Sequence, residues 1–454
     1  MSQVLRDLMV RAAEDAPEVR VDPGTWRAAR RARRRERVLA TMAAAAVLVG
    51  VVGIASQAGS LLPGSGEAAP AEGHREPAMP SRVHAVPEHL DGERPDGTWS
   101  YPRAETLEIG VAAVVFTTSG YAPVAVSALD GEYHLLDLPG HERMSGFRFE
   151  DGSFALSPDG RRLAYTWNKP ASDVDAEVYV PSGIRIVDLL SGEVESHQVR
   201  EGFGVFAHGF AWSPNGRYLT YNMQIANTSQ SGTSGTRNFF VERLDTRTGE
   251  RLKASGLPMT EVAPAVTDAG TVVTGTGTTL LTWQPDQGRE TIDLQQSPRW
   301  RGSLTGFGAV PGEEKVYASA GLEYSRIFVG RLDSPFSFQR LAGGMRWLSP
   351  VGPVDADSQA VLEETELGTS LWTSGPAHVR SGVLVEIEGA GGAHYSFATT
   401  LLQRPTRDFP APQWPMSTTQ KAVRGAILVG VALIVLMALA VLGRRYRRPA
   451  GLLG

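Results

Sequence analysis

Residue types that perform catalysis are present in this chain, but none stands in a spacing that specifies a reaction. The chain has nine histidines and no cysteine, which excludes thiol chemistry, disulfides and cysteine-bound zinc. It contains neither the G-x-S-x-G turn of a serine hydrolase nor the H-E-x-x-H pair of a zinc peptidase. His134, His141 and His208 stand near expected turns and strands without a companion cluster. We therefore expect no catalytic residue, no metal site and no cofactor.

Two other polar patterns resemble ligand sites only in part. Asp173, Asp175 and Glu177 alternate as calcium ligands do, but they lack the glycine turn and the final glutamate of a calcium loop. Gly275-Thr276-Gly277 lacks the third glycine and the following helix of a phosphate-binding loop. We interpret the first pattern as a solvated acidic loop and the second as a turn.

Charge is distributed unevenly along the chain. The formal net charge is −5, yet arginines crowd both ends, so the acidic balance belongs to the middle. A nucleic-acid-binding domain would be basic in its folded part. We therefore expect no nucleic-acid partner.

Two apolar segments, residues 38–55 and 423–443, are each flanked by arginines on the outer side. The second is unbroken from Ala426 to Leu442 and approaches the ~30 Å hydrocarbon thickness of a bilayer. Because basic residues accumulate on the cytoplasmic side, we predict two transmembrane helices in the plasma membrane, with both termini cytoplasmic. A cleaved signal peptide is the alternative for the first segment, although the long basic region before it argues against this. The arginines that set this topology are Arg31, Arg33, Arg34, Arg35, Arg444, Arg445, Arg447 and Arg448.

This topology divides the chain into seven parts. They are an Arg-rich cytoplasmic stub (1–37), a transmembrane helix (38–55), a flexible Pro/Gly/Ala linker (56–97), an extracytoplasmic domain (98–402), a second linker (403–422), a second transmembrane helix (423–443) and a basic cytoplasmic tail (444–454). The stub could dock a cytoplasmic partner through an apolar helical face, or its arginines could simply attract anionic lipid headgroups.

The central domain contains an internal repeat, in which residues 154–165 align with residues 210–221. Each copy is an apolar strand, a tight turn and a second strand. In these turns proline pre-sets φ, Asp or Asn follows, and glycine takes the left-handed position. A second turn pattern, D-x-x-x-G-E, recurs downstream of each copy, from Asp188 and from Asp245. The first turns consist of Ser157, Pro158, Asp159 and Gly160, and of Ser213, Pro214, Asn215 and Gly216.

These paired turns resemble the repeats of TolB-like, WD40-like β-propellers, in a membrane-anchored protein of actinobacterial type. The resemblance is clear over about residues 147–258 and degenerate elsewhere. It implies blades of four antiparallel strands. We predict an all-β fold with six blades, or seven if residues 345–402 hold a blade and a half. A sandwich or barrel with a duplicated hairpin is the alternative. A propeller usually closes with strands from both ends of the chain, which would bring the two linkers together.

The resemblance also implies binding of proteins rather than catalysis. We predict a non-enzymatic extracytoplasmic scaffold or sensor with a protein partner. Insertions at Asn168–Pro181 and Gln224–Asn238 are the candidate binding loops, or they are length variation without function. Two alternatives remain: an envelope-directed hydrolase or lyase that uses the mouth of the propeller channel, and a transmembrane signalling protein that couples the propeller to a cytoplasmic regulator through residues 1–37.

Overall fold

The computed structural model divides into two compact units, His74–Pro415 and a second unit of Met1–Gly73 with Met416–Gly454. The structure describes residues 76–87, 90, 106–118, 123–141, 154–168, 182–200, 205–227, 235–258, 263–293, 304–320, 325–332, 338–345, 348–354, 358–365, 368–374, 380–388, 394–414 and 418–446.

The first unit is built from β-strands, which alternate along the chain with tight turns and loops. The strands are β1 (Arg82–Val83), β2 (Ala112–Thr117), β3 (Pro123–Ser127), β4 (Tyr133–Leu135), β5 (Phe154–Leu156), β6 (Arg162–Asn168), β7 (Ser182–Asp188), β8 (Val194–Arg200), β9 (Val205–Trp212), β10 (Tyr218–Asn227), β11 (Gly235–Asp245), β12 (Arg251–Lys253), β13 (Ala265–Val266), β14 (Val272–Thr276), β15 (Thr279–Gln284), β16 (Gly288–Asp293), β17 (Leu304–Ala309), β18 (Lys315–Ala320), β19 (Ser325–Arg331), β20 (Phe338–Met345), β21 (Leu348–Pro353), β22 (Gln359–Thr365), β23 (Gly368–Ser374), β24 (Arg380–Ile387) and β25 (Tyr395–Phe397). A short 3-10 helix, Thr399–Gln403, follows β25.

These strands form six sheets, and each sheet is one blade. Blade 1 has the order β25-β2-β3-β4, so the end of the chain supplies its inner strand. Blades 2 to 5 are β5 to β8, β9 to β12, β13 to β16 and β17 to β20, each in sequence order. Blade 6 is β21 to β24, with β1 added in parallel outside β24.

The blades close into a ring. The inner strands contact one another in the order β25, β5, β9, β13, β17 and β21, and β21 contacts the 3-10 helix that follows β25. The fold is therefore a six-bladed β-propeller, which confirms the all-β prediction with six blades. Residues 345–402 hold one blade and the inner strand of another, because the ring closes between the two chain ends.

The two ends of the ring differ in how they are built. Because each blade is antiparallel, its first and second strands, and its third and fourth, are joined at one end, which we call the turn face. The second and third strands are joined at the opposite end, the loop face. Both insertions singled out from sequence join second to third strands. Residues 169–181 and 228–234 of these insertions lie outside the described residues, while residues 224–227 and 235–238 extend β10 and β11.

Alternating side chains pack consecutive blades against each other. In β6, Leu163 and Tyr165 join the core shared with blade 1, whereas Ala164 joins the core shared with blade 3. In β18, Val316 and Ala318 face blade 4 and Tyr317 faces blade 6. Successive residues of a strand point to opposite faces, so one strand serves both neighbouring interfaces.

The chain ends of the propeller unit meet at one turn of blade 1. The N–H of Ala78 donates to Ala128 O at 2.9 Å, and the Trp414 ring packs edge-on against Tyr133 with centroids 5.3 Å apart. Pro80 pairs in parallel with Arg407, where the Ser81 N–H donates to Arg407 O at 2.9 Å. We call residues 78–84 together with 404–414 the clasp.

Apolar anchors make the clasp part of the core. Met79 is fully buried and Val83 is 1% exposed, in the same cluster as Leu401, Leu402 and Val385. The Tyr133 hydroxyl accepts a hydrogen bond from the His84 N–H at 2.7 Å. Burial raises the pKa of Tyr133 to about 12, so this hydroxyl is neutral at pH 7. The described clasp residues thus differ from the flexible linkers expected at these positions.

The described part of the second unit is one helix, α1 (Thr418–Tyr446). Its segment Gln420–Leu439 is long and apolar enough to cross a membrane, and none of it is buried in protein. This segment corresponds to the second predicted spanning helix, and Arg444 and Arg445 lie at the end of α1. The first predicted span, residues 38–55, lies outside the described residues, as do Arg31, Arg33, Arg34, Arg35, Arg447 and Arg448.

The clasp gives a first prediction. Met79→Ala removes a fully buried side chain and should lower the free energy of unfolding by about 2–5 kcal/mol. Gln403→Ala, at an exposed neighbouring position, should change it by less than about 0.5 kcal/mol. Denaturant unfolding of the detergent-solubilised chain, followed by tryptophan fluorescence, measures both. Equal, small effects would show that the clasp is not part of the cooperative core.

Candidate functional site

The repeat turns singled out from sequence lie on the turn face, where their side chains satisfy local backbone groups. In blade 2 the Ser157 hydroxyl hydrogen bonds to Asp159 Oδ1 at 2.6 Å and accepts from the Arg162 N–H at 2.9 Å. The Gly160 N–H donates to Ser157 O at 2.9 Å, and Gly160 has φ +75°. Pro158 supplies its carbonyl to Thr400 of the 3-10 helix, whose N–H donates at 3.0 Å.

Blade 3 repeats this geometry residue for residue. The Ser213 hydroxyl lies 2.7 Å from Asn215 Oδ1 and accepts from the Tyr218 N–H at 2.9 Å. Gly216 again has a positive φ and donates to Ser213 O. Pro214 occupies the position of Pro158. The recurrence of the motif therefore reflects one turn conformation that is used twice.

The turn glycines also connect the blades. Their carbonyl oxygens accept hydrogen bonds from the preceding blade: Gly160 O from the Ala112 N–H at 2.9 Å, and Gly216 O from the Arg162 guanidinium. In blade 4, Gly270 O accepts from Arg243 Nη1 at 2.9 Å. Each turn thus presents a backbone acceptor that the neighbouring blade uses, which assigns the repeat motif to ring assembly.

Two of these donors lie over an aromatic ring. The Arg162 guanidinium lies 4.8 Å from the centroid of Trp212, and that of Arg243 lies 4.7 Å from Tyr218. A guanidinium over a ring gains a favourable cation–π interaction of about 0.5–2 kcal/mol, more when it is desolvated. Arg243 is only 6% exposed. We call an arginine that lies over an aromatic ring and donates to a carbonyl of another blade or connection an arginine wedge.

The second turn motif holds a carboxylate by hydrogen bonds. Asp245 accepts from the Arg217 side chain at 2.7 Å and from the Arg247 N–H at 3.0 Å. The Arg217 hydrogen bond, followed by the backbone N–H groups, lowers the pKa of Asp245 below its ordinary value of 3.8, against the opposing effect of burial. Asp188 makes the matching turn in blade 2, where it accepts from the Leu190 N–H at 2.8 Å. These turns stabilise the turn face.

The inner strands, as far as the structure describes the ring, carry no ionised side chain. None of the six inner strands contains Asp, Glu, Lys or Arg, and their one histidine is His208 in β9. Burial lowers the pKa of His208 from 6.5, so this side chain is neutral at pH 7. Among the described residues no group of three or more His, Asp or Glu side chains is placed to hold a metal ion. General acid–base catalysis needs a titratable group beside the substrate, and His208 is the one histidine that the inner strands supply.

The loop face of blade 2 carries a cationic and aromatic cluster. Arg185, the middle residue of β7, lies with its guanidinium 4.4 Å from the centroid of Trp167, near the end of β6. Its Nη1 donates to Pro139 O at 2.6 Å and its Nε to Ser196 Oγ at 3.0 Å. The Tyr165 hydroxyl also donates to Pro139 O, at 3.2 Å. Pro139 lies in the connection from blade 1, so Arg185 is a third arginine wedge.

Two histidines extend this cluster towards the channel. His141 Nδ1 lies 3.2 Å from Thr166 O, and its ring packs edge-on against Tyr165. His394 Nε2 lies 3.2 Å from Phe154 O. Tyr165 is fully buried, and burial raises its pKa to about 12, although nearby Arg185 acts in the opposite direction. The Tyr165 hydroxyl therefore stays protonated, and both histidines lie within hydrogen-bond distance of a backbone carbonyl.

Sequence reasoning identified the repeat turns and the insertions but not the Arg185–Trp167 pair. One signal was available, because Trp167 directly precedes the insertion Asn168–Pro181 and Arg185 closely follows it. Two strand ends that are joined by a loop must lie side by side in an antiparallel pair, and Trp167 indeed pairs with Gly183.

A matched pair of glycine substitutions tests the role of the repeat turn. Gly160 and Gly249 have similar φ values, +75° and +73°. A Cβ at Gly160 would lie 2.2 Å from Ala112 O, whereas one at Gly249 would meet nothing within 4 Å. Gly249→Ala should cost only the left-handed penalty of about 1–2 kcal/mol. Gly160→Ala should cost at least about 1 kcal/mol more in denaturant unfolding. If both variants lose the same unfolding free energy, the backbone of blade 1 moves away from the added Cβ at no cost, and the close contact does not constrain the ring.

Asp245 predicts a pH dependence of stability. Its folded pKa is depressed, so its contribution is complete above the unfolded value of 3.8 and is lost as pH falls through the lower folded value. Asp245→Asn should therefore lower stability at neutral pH and flatten the loss of stability in the acid range. Thermal unfolding midpoints of both proteins between pH 7 and the acid limit of solubility measure this. Parallel curves would contradict the assignment.

Comparison with known proteins yields similarity in structure alone. No family model matches the sequence, and no curated protein matches it. TolB from Acinetobacter baumannii aligns at 12% identity over 64% of this chain and 67% of its own, with a TM-score of 0.40. The WD40 repeats of RRP9 align at 13% identity over 55% and 83%, with a TM-score of 0.32. A prolyl endopeptidase aligns at 14% identity over 64% of this chain and 39% of its own, with a TM-score of 0.34.

Identities and TM-scores this low do not transfer a function. The fold follows from the six sheets and their closure, and the repeat turns carry the likeness to known propellers. On these grounds the chain is a six-bladed β-propeller of a kind similar to TolB and WD40 propellers.

Proposed function

We propose that this chain is a membrane-anchored, extracytoplasmic propeller that binds a protein partner through its loop face. The observation that carries the proposal is the absence of any charged side chain from the six inner strands. A channel wall without ionised groups suits packing better than acid–base chemistry. The loop face instead carries Arg185 and Trp167, which belong to the residue types that dominate protein-binding hot spots.

The membrane part of the proposal depends on sequence and on α1. Gln420–Leu439 has the length and composition of a spanning helix, and the arginines that follow it would mark the cytoplasmic side. With residues 38–55 as a second span, both termini are cytoplasmic and the propeller lies outside the plasma membrane.

One observation favours signalling through residues 1–37 as a second candidate function. Both ends of the propeller unit contact the same turn of blade 1, through Ala78 and Trp414. A change at that turn would therefore reach both connecting segments at once. No comparable observation favours the hydrolase or lyase alternative.

The absence of cysteine makes the topology directly testable. Single cysteines at Thr276 on the loop face and at Glu250 on the turn face are both exposed. A membrane-impermeant maleimide should label both in intact cells, and should label Ser2→Cys only after lysis. Labelling of Ser2→Cys in intact cells, or protection of both propeller positions, would overturn the orientation.

The same variants test the binding face. A photocrosslinker attached at Thr276→Cys should capture a defined protein in native membranes, whereas one attached at Glu250→Cys should capture it much less. Capture from Glu250 alone would move the interface to the turn face. Turnover of an envelope glycan or peptide by the purified chain, without any crosslinked partner, would support the enzymatic alternative instead.

A further inference from the structure

Arg185 differs in its surroundings from the other arginine wedges. Arg162 and Arg243 lie between blades at the turn face, where Arg243 is buried and Arg162 donates to both Gly216 O and Thr246 Oγ1. Arg185 is the middle residue of β7, its side chain reaches Pro139 O in the connection at the loop face, and it is partly exposed. Its guanidinium edge is thus open to solvent on the face that the proposed function assigns to binding.

The guanidinium of Arg185 is held in place before any ligand arrives. Ser196 Oγ fixes Nε, Pro139 O fixes Nη1, and the Trp167 ring supports the flat face. Each of the two hydrogen bonds uses one N–H donor, and a guanidinium has five. A further N–H group of Arg185 hydrogen bonds to the Tyr165 hydroxyl, so two of the five donors remain for another acceptor. Because little side-chain freedom is left to lose, binding at this edge would cost less entropy than at a mobile arginine.

The charge of Arg185 has no carboxylate partner among the described residues. Two other arginines that reach solvent do have one: Arg217 pairs with Asp245, and Arg82 pairs with Glu386. Asp137 lies close enough to raise the pKa of Tyr165. A fixed planar fork with an unmatched positive charge is the arrangement that recognises a carboxylate in two parallel hydrogen bonds.

From these contacts we propose that Arg185, supported by Trp167, binds a carboxylate of an acidic segment on the protein partner. The inference rests on the proposed function and adds the chemistry of the contact. Trp167 acts as a positioning residue, because its ring sets the plane of the guanidinium and so the direction in which the remaining N–H groups point.

The test uses the full chain in detergent and a fluorescein-labelled oligoglutamate peptide, with oligoglutamine as the matched neutral probe. Fluorescence anisotropy at low salt should show binding of oligoglutamate only, and added salt should weaken it, since exposed charges are screened within ~10 Å at 0.1 M. Arg185→Gln should weaken binding about tenfold or more. Arg185→Lys keeps the charge but not the fork and should recover only part of the loss.

Arg289→Gln serves as the control. Arg289 is an exposed arginine that also donates to a carbonyl, Gly256 O at 2.9 Å, but it lies on the turn face of blade 4. It should leave peptide affinity unchanged. Equal weakening by Arg185→Gln and Arg289→Gln, no binding to the wild type, or equal binding of oligoglutamine would each overturn the proposal. Thermal unfolding midpoints of every variant exclude loss of fold as the cause.

Two further results distinguish this proposal from the proposed function and from pairing of Arg185 with the chain's own acidic loop. Crosslinking from Thr276 that still captures a partner in the Arg185→Gln variant as in the wild type would overturn the carboxylate contact and leave the proposed function standing. A second result concerns the chain's own acidic loop, in which Asp173, Asp175 and Glu177 are neutralised together. If this variant lowers the unfolding midpoint as much as Arg185→Gln does, and combining both changes lowers the midpoint no further, the guanidinium pairs with that loop. The proposal is then wrong.

Discussion

The ring depends on backbone carbonyls at blade edges that must receive a donor from the neighbouring blade. Left without partners in a closed ring, such groups would cost free energy of about 1–3 kcal/mol each. Where blade 1 contacts blade 2, a backbone N–H donates to Gly160 O. Where blade 2 contacts blade 3 and blade 3 contacts blade 4, an arginine donates instead, to Gly216 O and to Gly270 O. An aromatic ring under each guanidinium offsets part of its desolvation. Cohesion at the turn face is therefore polar as well as apolar, although the core clusters between blades are hydrophobic.

This solution has a consequence for function. Turn-face arginines are used internally, since Arg162, Arg217 and Arg243 all have partners within the ring. The inner strands contribute no ionised side chain, whereas the loop face of blade 2 carries the partly exposed cluster of Arg185 and Trp167. There the same combination of guanidinium, ring and carbonyl recurs in Arg185, which is partly exposed. The binding role that we propose for Arg185 would thus reuse an arrangement that joins blades at the turn face.

The sequence predicted the local features well and the long-range ones poorly. Ser157-Pro158-Asp159-Gly160 specifies its turn through four neighbouring residues, so the pattern alone was sufficient to place it. The partner of Arg243 is the carbonyl of Gly270 in the next blade, and no local pattern marks such a contact. The number of blades could be predicted from strand spacing, whereas the contact between Arg185 and Trp167 needed the pairing of β6 with β7.

The clasp shows why a proline-rich segment can mislead. Prolines remove ladder donors and usually mark linkers, and the region after residue 403 has four of them before α1 begins. The single bridge between Pro80 and Arg407 needs only the N–H groups of Ser81 and Arg407, which are both present. Aromatic docking supplies the rest, because Phe409 lies against Gly131 and Trp414 against Tyr133. Side-chain packing, rather than a ladder of backbone hydrogen bonds, therefore holds this segment against blade 1.

Parallel pairing of the two ends also determines how the propeller would resist mechanical load. One end of the polypeptide arrives before Pro80 and the other departs after Arg407, so opposite pulls on the two ends would slide the paired segments past each other rather than peel them apart. In that shear geometry the hydrogen bonds at Met79 O and Arg407 O must break together, along with the burial of Met79 and Val83. Tension applied between the two ends of the propeller unit would then act on the clasp before it acts on the ladders between the strands of the six blades.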